Sequence, residues 1–150
     1  MSDSLTVADV TVGAMLPEVE LLTTRSFVVT SAIATRDFEP VHHDPEVARA
    51  SGLPDVFLNI LTTNGLCVKY VADWAGPQAI VKGTSIRLGV PHVAGATLRL
   101  SGEVTAIDGA VVTVAVAGRN ATGNHVTGTV QVDLPEAALP PIDSSTEAPA

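Results

Sequence analysis

Hydrophobic and polar residues alternate most regularly in the second half of the chain. Over 97–107, Leu98, Leu100, Val104 and Ala106 alternate with Arg99, Ser101, Glu103 and Thr105. A period of two sends the two sets to opposite faces, which predicts an antiparallel strand with one face buried. Asp108-Gly109 then offers the positive-φ positions of a tight hairpin. Residues 110–119 are rich in valine and predict a more deeply buried strand. A looser turn through 120–124 follows. Over 126–134 the alternation returns, with Val126, Val130, Val132 and Leu134 against Thr127, Thr129, Gln131 and Asp133. Another strand is expected over 79–88, with Pro91 and Gly95 punctuating the link.

The first half has a different texture. Residues 18–22 and 26–29 read as short strands, and Thr30 is placed to cap a short helix over 31–36. A second short helix is marked by Asp44 at its cap, Pro45 at its first position, Glu46 in the first turn and Gly52 beyond its end. A long helix is expected over 60–74, capped by Asn59 and stopped by Gly76-Pro77. Ile60, Leu61, Leu66, Val68, Val71 and Trp74 surround most of its circumference, which predicts burial on most sides. One buried helix with an antiparallel sheet makes an α+β domain in which the sheet wraps the helix. An open sheet leaves an edge for a second subunit. The domain is expected over 1–134, with its first dozen residues loose. Residues 135–150, rich in Pro, Ala, Ser and Glu, are expected to form a disordered acidic tail.

Composition narrows the possibilities. The chain has 150 residues, enough for one domain with its own core. No apolar run approaches the roughly 20 residues that span a bilayer, and no basic-then-apolar leader opens the sequence. The single cysteine, Cys67, rules out an internal disulfide and fits a reducing cytoplasm. A net charge of -8 argues against nucleic acid as a partner. There is no P-loop, no G-x-S-x-G and no dinucleotide fingerprint. His92 and His125 stand isolated, no spacing marks a metal site, and no cofactor is implied.

The segment Asp37-Phe38-Glu39-Pro40-Val41-His42 carries the candidate chemistry. It places a carboxylate and an imidazole in a Pro-stiffened loop between two short helices, where both can aim at one point. Such a pair suits activation of water: His42 accepts a proton, and Asp37 orients water or imidazole and helps to return the proton. The dipole of the helix capped by Asp44 favours a neutral His42, while Asp37 favours the charged form. The spacing alone also fits a helix-ending Asp37 and a surface-loop His42. Of the neighbours, His43 and Arg36 are placed to meet substrate, or to brace the loop and balance Asp37. Asn64 and Thr63 either satisfy polar groups beside the long helix or face a cavity. Cys67 lies among apolar residues and reads as core.

The run Ala34-Thr35-Arg36-Asp37-Phe38-Glu39-Pro40-Val41-His42 resembles the MaoC-like motif of (R)-specific enoyl-CoA hydratases, Ser-Gly-Asp-x-Asn-Pro-hydrophobic-His. Asp37, Pro40, Val41 and His42 match it, while Arg36 stands for the family Gly and Glu39 for the family Asn. Leu58-Asn59-Ile60-Leu61-Thr62 occupies the place of the family's His-Gly-Met-Leu-Thr. The segment from Ser85-Ile86-Arg87-Leu88 through Pro91, Gly95 and Thr97-Leu98 resembles the strand that follows. The resemblance covers about 15–134. Within the family, Asn59-Ile60-Leu61-Thr62, Asp73-Trp74-Ala75-Gly76-Pro77 and Leu88-Gly89-Val90-Pro91 resemble the small subunit of bacterial steroid side-chain enoyl-CoA hydratases.

The resemblance implies a single hotdog fold and hydration of a 2-enoyl-CoA, with a steroid side-chain thioester of cholesterol catabolism as substrate. It implies Asp37 and His42 as catalytic residues and the Asn59 N–H as the oxyanion donor. Arg36, His43 and Asn64 are the candidates for substrate contact. It also implies a second MaoC-like subunit, which would line part of the site for polyanionic CoA where this acidic chain is poorly suited. Three alternatives stay open: a general (R)-specific hydratase homodimer, a hotdog acyl-CoA thioesterase, and a non-catalytic acyl-CoA-binding module. A thioesterase carboxylate would have to be Asp73, the only acid over 60–74.

Overall fold

The structure, a computed structural model, describes residues 4–137. Five strands form one antiparallel sheet: β1 (Met15–Leu22), β2 (Ile80–Leu88), β3 (Thr97–Asp108), β4 (Val111–Asn120) and β5 (Gly123–Asp133). Their order is β1-β3-β4-β5-β2, so β1 and β2 are the edges. Three helices, α1 (Arg25–Ala34), α2 (Pro45–Ala50) and α3 (Ile60–Ala75), lie between β1 and β2 in the chain. Helix α3 touches all five strands. Among the described residues no helix is long and apolar enough to cross a membrane.

The alternating valines and leucines build the core. Leu98, Leu100 and Val104 of β3, Val112, Val114 and Val116 of β4, and Val126, Val130 and Val132 of β5 are buried against Cys67, Tyr70 and Val71 of α3. Burial of each such Val or Leu side chain contributes about 1.5–3 kcal/mol. Ala106, expected in this set, is exposed. A bulge between Val104 and Ala106 shifts the register and turns Ile107 toward the core instead. In the hairpin that follows, Gly109 alone has positive φ (58°), and Asp108 is the last residue of β3, paired with Val111.

The helical half departs further from the sequence expectation. The expected strand over 26–29 and helix over 31–36 are one helix, α1. It starts earlier because Thr24, not Thr30, is the cap: its hydroxyl accepts the Phe27 N–H. Thr30 lies inside the helix and returns its hydroxyl to the Ser26 carbonyl at 2.7 Å. Helices α2 and α3 begin where expected, under Asp44 and Asn59. Helix α3 is buried along one side rather than most sides: Thr62, Thr63, Cys67, Tyr70, Val71 and Ala75 are covered, while Ile60 and Leu61 are each 50% exposed. The N-terminal residues from 4 onward are packed rather than loose. Leu5 N–H bonds the Ala75 carbonyl, Val7 N–H bonds the Pro135 carbonyl, and Val10 is buried. Most of the expected tail, 138–150, lies outside the described residues.

Candidate active site

The end of α1 sets the position of Asp37. The Asp37 N–H reaches back to the Ala32 carbonyl and the Arg36 N–H to the Ile33 carbonyl, each at 2.9 Å. This closure requires a left-handed residue at position 36, and Arg36 adopts φ 58°. The Asp37 side chain emerges immediately after that reversal. A 3-10 turn, Pro40–His42, then brings His42 back toward it. The His42 ring is buried and lies edge-on to Phe57, with ring centroids 4.7 Å apart.

Hydrogen bonding defines the tautomer of His42. Its Nδ1 lies 2.8 Å from the Phe57 carbonyl oxygen, which can only accept, so Nδ1 donates. In the neutral ring Nε2 therefore carries a lone pair. Nε2 faces Asp37 Oδ2 at 3.7 Å. Two proton acceptors thus converge on one point, an arrangement that a donor with two hydrogens, such as water, would satisfy.

Asn59 holds the carboxylate from the other side. Its Nδ2 donates to Asp37 Oδ2 and to Thr35 Oγ1, both at 2.9 Å, while its Oδ1 accepts the Thr62 N–H and caps α3. Asp37 Oδ1 accepts the Glu39 N–H at 3.2 Å. The Asn59 amide above all, then the Glu39 N–H and the charges of His42 and His43, hold the Asp37 pKa below its ordinary value against partial desolvation. The N–H of Asn59 has no protein acceptor among the described residues and lies at the positive end of α3.

The other expected contacts fall less centrally. Arg36 is exposed, and its notable feature is backbone conformation. His43 donates Nε2 to the Asp37 carbonyl at 2.7 Å and stacks on Phe38, so it braces the loop. Asn64 accepts the Thr84 hydroxyl at 3.0 Å, tying α3 to edge strand β2. Cys67 is fully buried, and desolvation pushes its thiol up to about 11. Asp73 is exposed and ion-paired with Lys69, and both line an apolar cleft together with Phe27, Leu66 and Trp74. That cleft, of about 440 Å³, and a polar one of about 600 Å³ beside Arg99 and Arg119 both leave out Asp37 and His42.

His92 and His125 are not isolated: both are fully buried, with ring centroids 5.5 Å apart. Nothing local in the sequence signals this long-range pairing. His125 donates Nδ1 to the Val90 carbonyl and accepts the Thr63 hydroxyl at Nε2. His92 accepts from Asn120 at Nδ1 and donates Nε2 to Thr23 Oγ1, which passes a hydrogen on to the Ala96 carbonyl. Burial, then the neighbouring His125, lowers the pKa of His92 to about 4, and burial also lowers that of His125. Among the described residues no cluster of three His, Cys, Asp or Glu side chains could hold a metal ion.

Comparison with known proteins follows the same lines as this geometry. The family model of the MaoC like domain matches residues 10–126. The chain is 52% identical over 123 residues to the 3-oxo-4,17-pregnadiene-20-carboxyl-CoA hydratase beta subunit of Mycobacterium tuberculosis, covering 82% of this chain and 95% of that one. It superposes with a TM-score of 0.81 on a chain of the crystal structure of the ChsH1-ChsH2 complex from Mycobacterium tuberculosis, at 52% identity, covering 83% of this chain and 98% of that one. R-hydratase PhaJ1 from Pseudomonas aeruginosa, at 24% identity, shares the fold with a TM-score of 0.82 over 94% of this chain and 97% of its own. Domain match, identity and the hotdog arrangement of sheet and helix agree, and the chain belongs to the MaoC-like family of hydratases and dehydratases.

Proposed function

We propose that the chain is the catalytic subunit of an enoyl-CoA hydratase that adds water across the double bond of a steroid side-chain 2-enoyl-CoA in cholesterol breakdown. The observation that carries this reading is the facing pair of acceptors, His42 Nε2 and Asp37 Oδ2, at 3.7 Å. A water between them donates to both and turns a lone pair toward the β-carbon of the conjugated thioester. As the oxygen–carbon bond forms, Nε2 takes one proton and the π electrons move to the thioester oxygen. The Asn59 N–H and the positive end of α3 stabilise that oxygen. The enolate then takes a proton at the α-carbon from the Asp37–His42 pair, which returns to its starting state. No cofactor enters this sequence of steps.

The substrate class follows the relative named as a pregnadiene carboxyl-CoA hydratase subunit. The assembly follows the two-component complex that contains a similar chain. Support within this chain comes from Ile60, Leu61, Ile80 and Val81, apolar and exposed at the start of α3 and on edge strand β2. A second MaoC-like subunit seated there would cover them and supply cations for CoA that a chain of net charge -8 lacks. The cytoplasm is the proposed location, where the single thiol of Cys67 stays reduced.

The test is to purify the chain alone and with its partner and to follow loss of the enoyl-thioester absorbance. Turnover of a steroid enoyl-CoA by the two-subunit enzyme is expected, with about 10²–10⁴-fold loss in Asp37→Asn and His42→Ala. Near-normal turnover by both variants would remove the site assignment. Full activity of the chain alone on a short straight-chain enoyl-CoA would instead make it a general homodimeric hydratase.

A further inference from the structure

We propose that the side chain of Asn59 is a positioning residue that clamps the Asp37 carboxylate for the reaction, a role separate from its backbone N–H and from its cap on α3. The inference rests on Asp37 as part of the water-activating pair. Asn59 has three side-chain hydrogen bonds. Its Oδ1 serves the Thr62 N–H of its own helix, whereas both Nδ2 hydrogens leave the helix for Thr35 Oγ1 and Asp37 Oδ2. Capping needs only the acceptor. The donor half is therefore free for a second task, and it spends it on two residues that flank the reversal after α1.

The geometry restricts what Asp37 can do. Oδ1 is fixed by the Glu39 N–H and Oδ2 by the Asn59 amide, so the carboxylate plane is pinned at both ends. Oδ2 is also the oxygen that faces His42 Nε2. The amide thus occupies one lone-pair direction of that oxygen and leaves another for water. Asn59 is itself only 3% exposed, so solvent does not compete for its amide. The groups facing Asp37 are His42 from the 3-10 turn, His43 through the Asp37 carbonyl, the Glu39 N–H, and Asn59 from the start of α3. Of these only Asn59 brings a neutral donor from a different element, which makes it the group that couples the loop to the helix.

Asn59→Ser separates the two roles. Serine keeps an oxygen that caps α3 about as well as asparagine, but its one hydroxyl hydrogen on a shorter side chain cannot replace the two amide hydrogens that reach Thr35 and Asp37. In the enzyme purified with its partner subunit, Asn59→Ser is expected to lower kcat about 10- to 100-fold with KM little changed. Because a donor that favours the charged carboxylate is gone, the acid limb of kcat/KM should move to higher pH. Asn59→Asp keeps the cap and sets a second carboxylate against Asp37, so it should move that limb further. Asn59→Ser should still melt in one cooperative transition with the helix content of the parent, which reports an intact cap even though two side-chain bonds are lost. Parent-like kcat and pH profile in Asn59→Ser, alongside an inactive Asp37→Asn, would overturn the clamp and leave the catalytic pair standing. Full activity in Asp37→Asn would instead overturn the reading on which the clamp rests.

Discussion

Two histidine clusters in this molecule use the same chemistry for opposite ends. At His92 and His125 all four ring nitrogens have protein partners: Asn120, Thr23, Val90 and Thr63. At His42 one nitrogen is taken by the Phe57 carbonyl, and the other is left without a proton opposite a carboxylate. The difference in burial is small, since His42 is 8% exposed and the other two at most 1%. Saturation of the ring, more than depth, separates the two environments. A fully satisfied imidazole gains nothing by taking a proton, whereas in the proposed mechanism the half-satisfied ring beside Asp37 would take one from water.

Substitution should divide the two clusters. His42→Ala is expected to lose about 10²–10⁴-fold in turnover while melting within a few degrees of the parent. His92→Ala should do the reverse. It deletes the hydrogen bonds from the ring to Thr23 and Asn120 and opens a cavity, which costs about 2–4 kcal/mol, while the folded fraction keeps its kcat. A denaturant melt and a rate on the same samples check both, and the contrast fails if His92→Ala folds as well as the parent but turns over slowly.

Acid should act on the buried cluster first. The folded pKa of His92 is about 4 against 6.5 when unfolded, so the unfolded chain binds more protons between these values. Stability is therefore full above about pH 6.5 and declines as pH falls toward 4, by up to about 3 kcal/mol. Asp37, whose pKa is also depressed, loses its contribution only at lower pH, as it protonates. Melts at pH 7.5, 6 and 5 should show the decline, and His92→Gln should flatten it. The smallest effect expected is at Arg36. Glycine relieves its left-handed backbone, so Arg36→Gly should gain roughly 1 kcal/mol. A fall in melting temperature would mean that the arginine side chain contributes more than its backbone costs.

The sequence made the Asp37–His42 spacing, the caps at Asp44 and Asn59, and the alternation of β3 to β5 readable because each is a local pattern. Its errors came where local preferences misled. Phe27, Val28 and Val29 favour a strand, yet the Thr24 cap draws them into α1. Ala106 kept the period of two in the sequence, but the bulge broke it in the sheet. Two features had no local signal at all. The amide of Asn59 meets a carboxylate 22 residues away, and Thr63 meets His125 at a separation of 62. Capping propensity reports that Asn59 accepts a bond and says nothing of where its donors go.

The reversal after α1 has one more consequence. Asp37 is hung from the last turn of α1 by its bond to Ala32, so the helix acts as a ruler for the carboxylate. Residue types along α1 can vary, but their number cannot. Adding or removing one residue would swing Asp37 by about 100° around the helix axis. That turn would carry the carboxylate away from both His42 and Asn59. Related chains that keep this chemistry should therefore tolerate substitution along α1 far better than insertion.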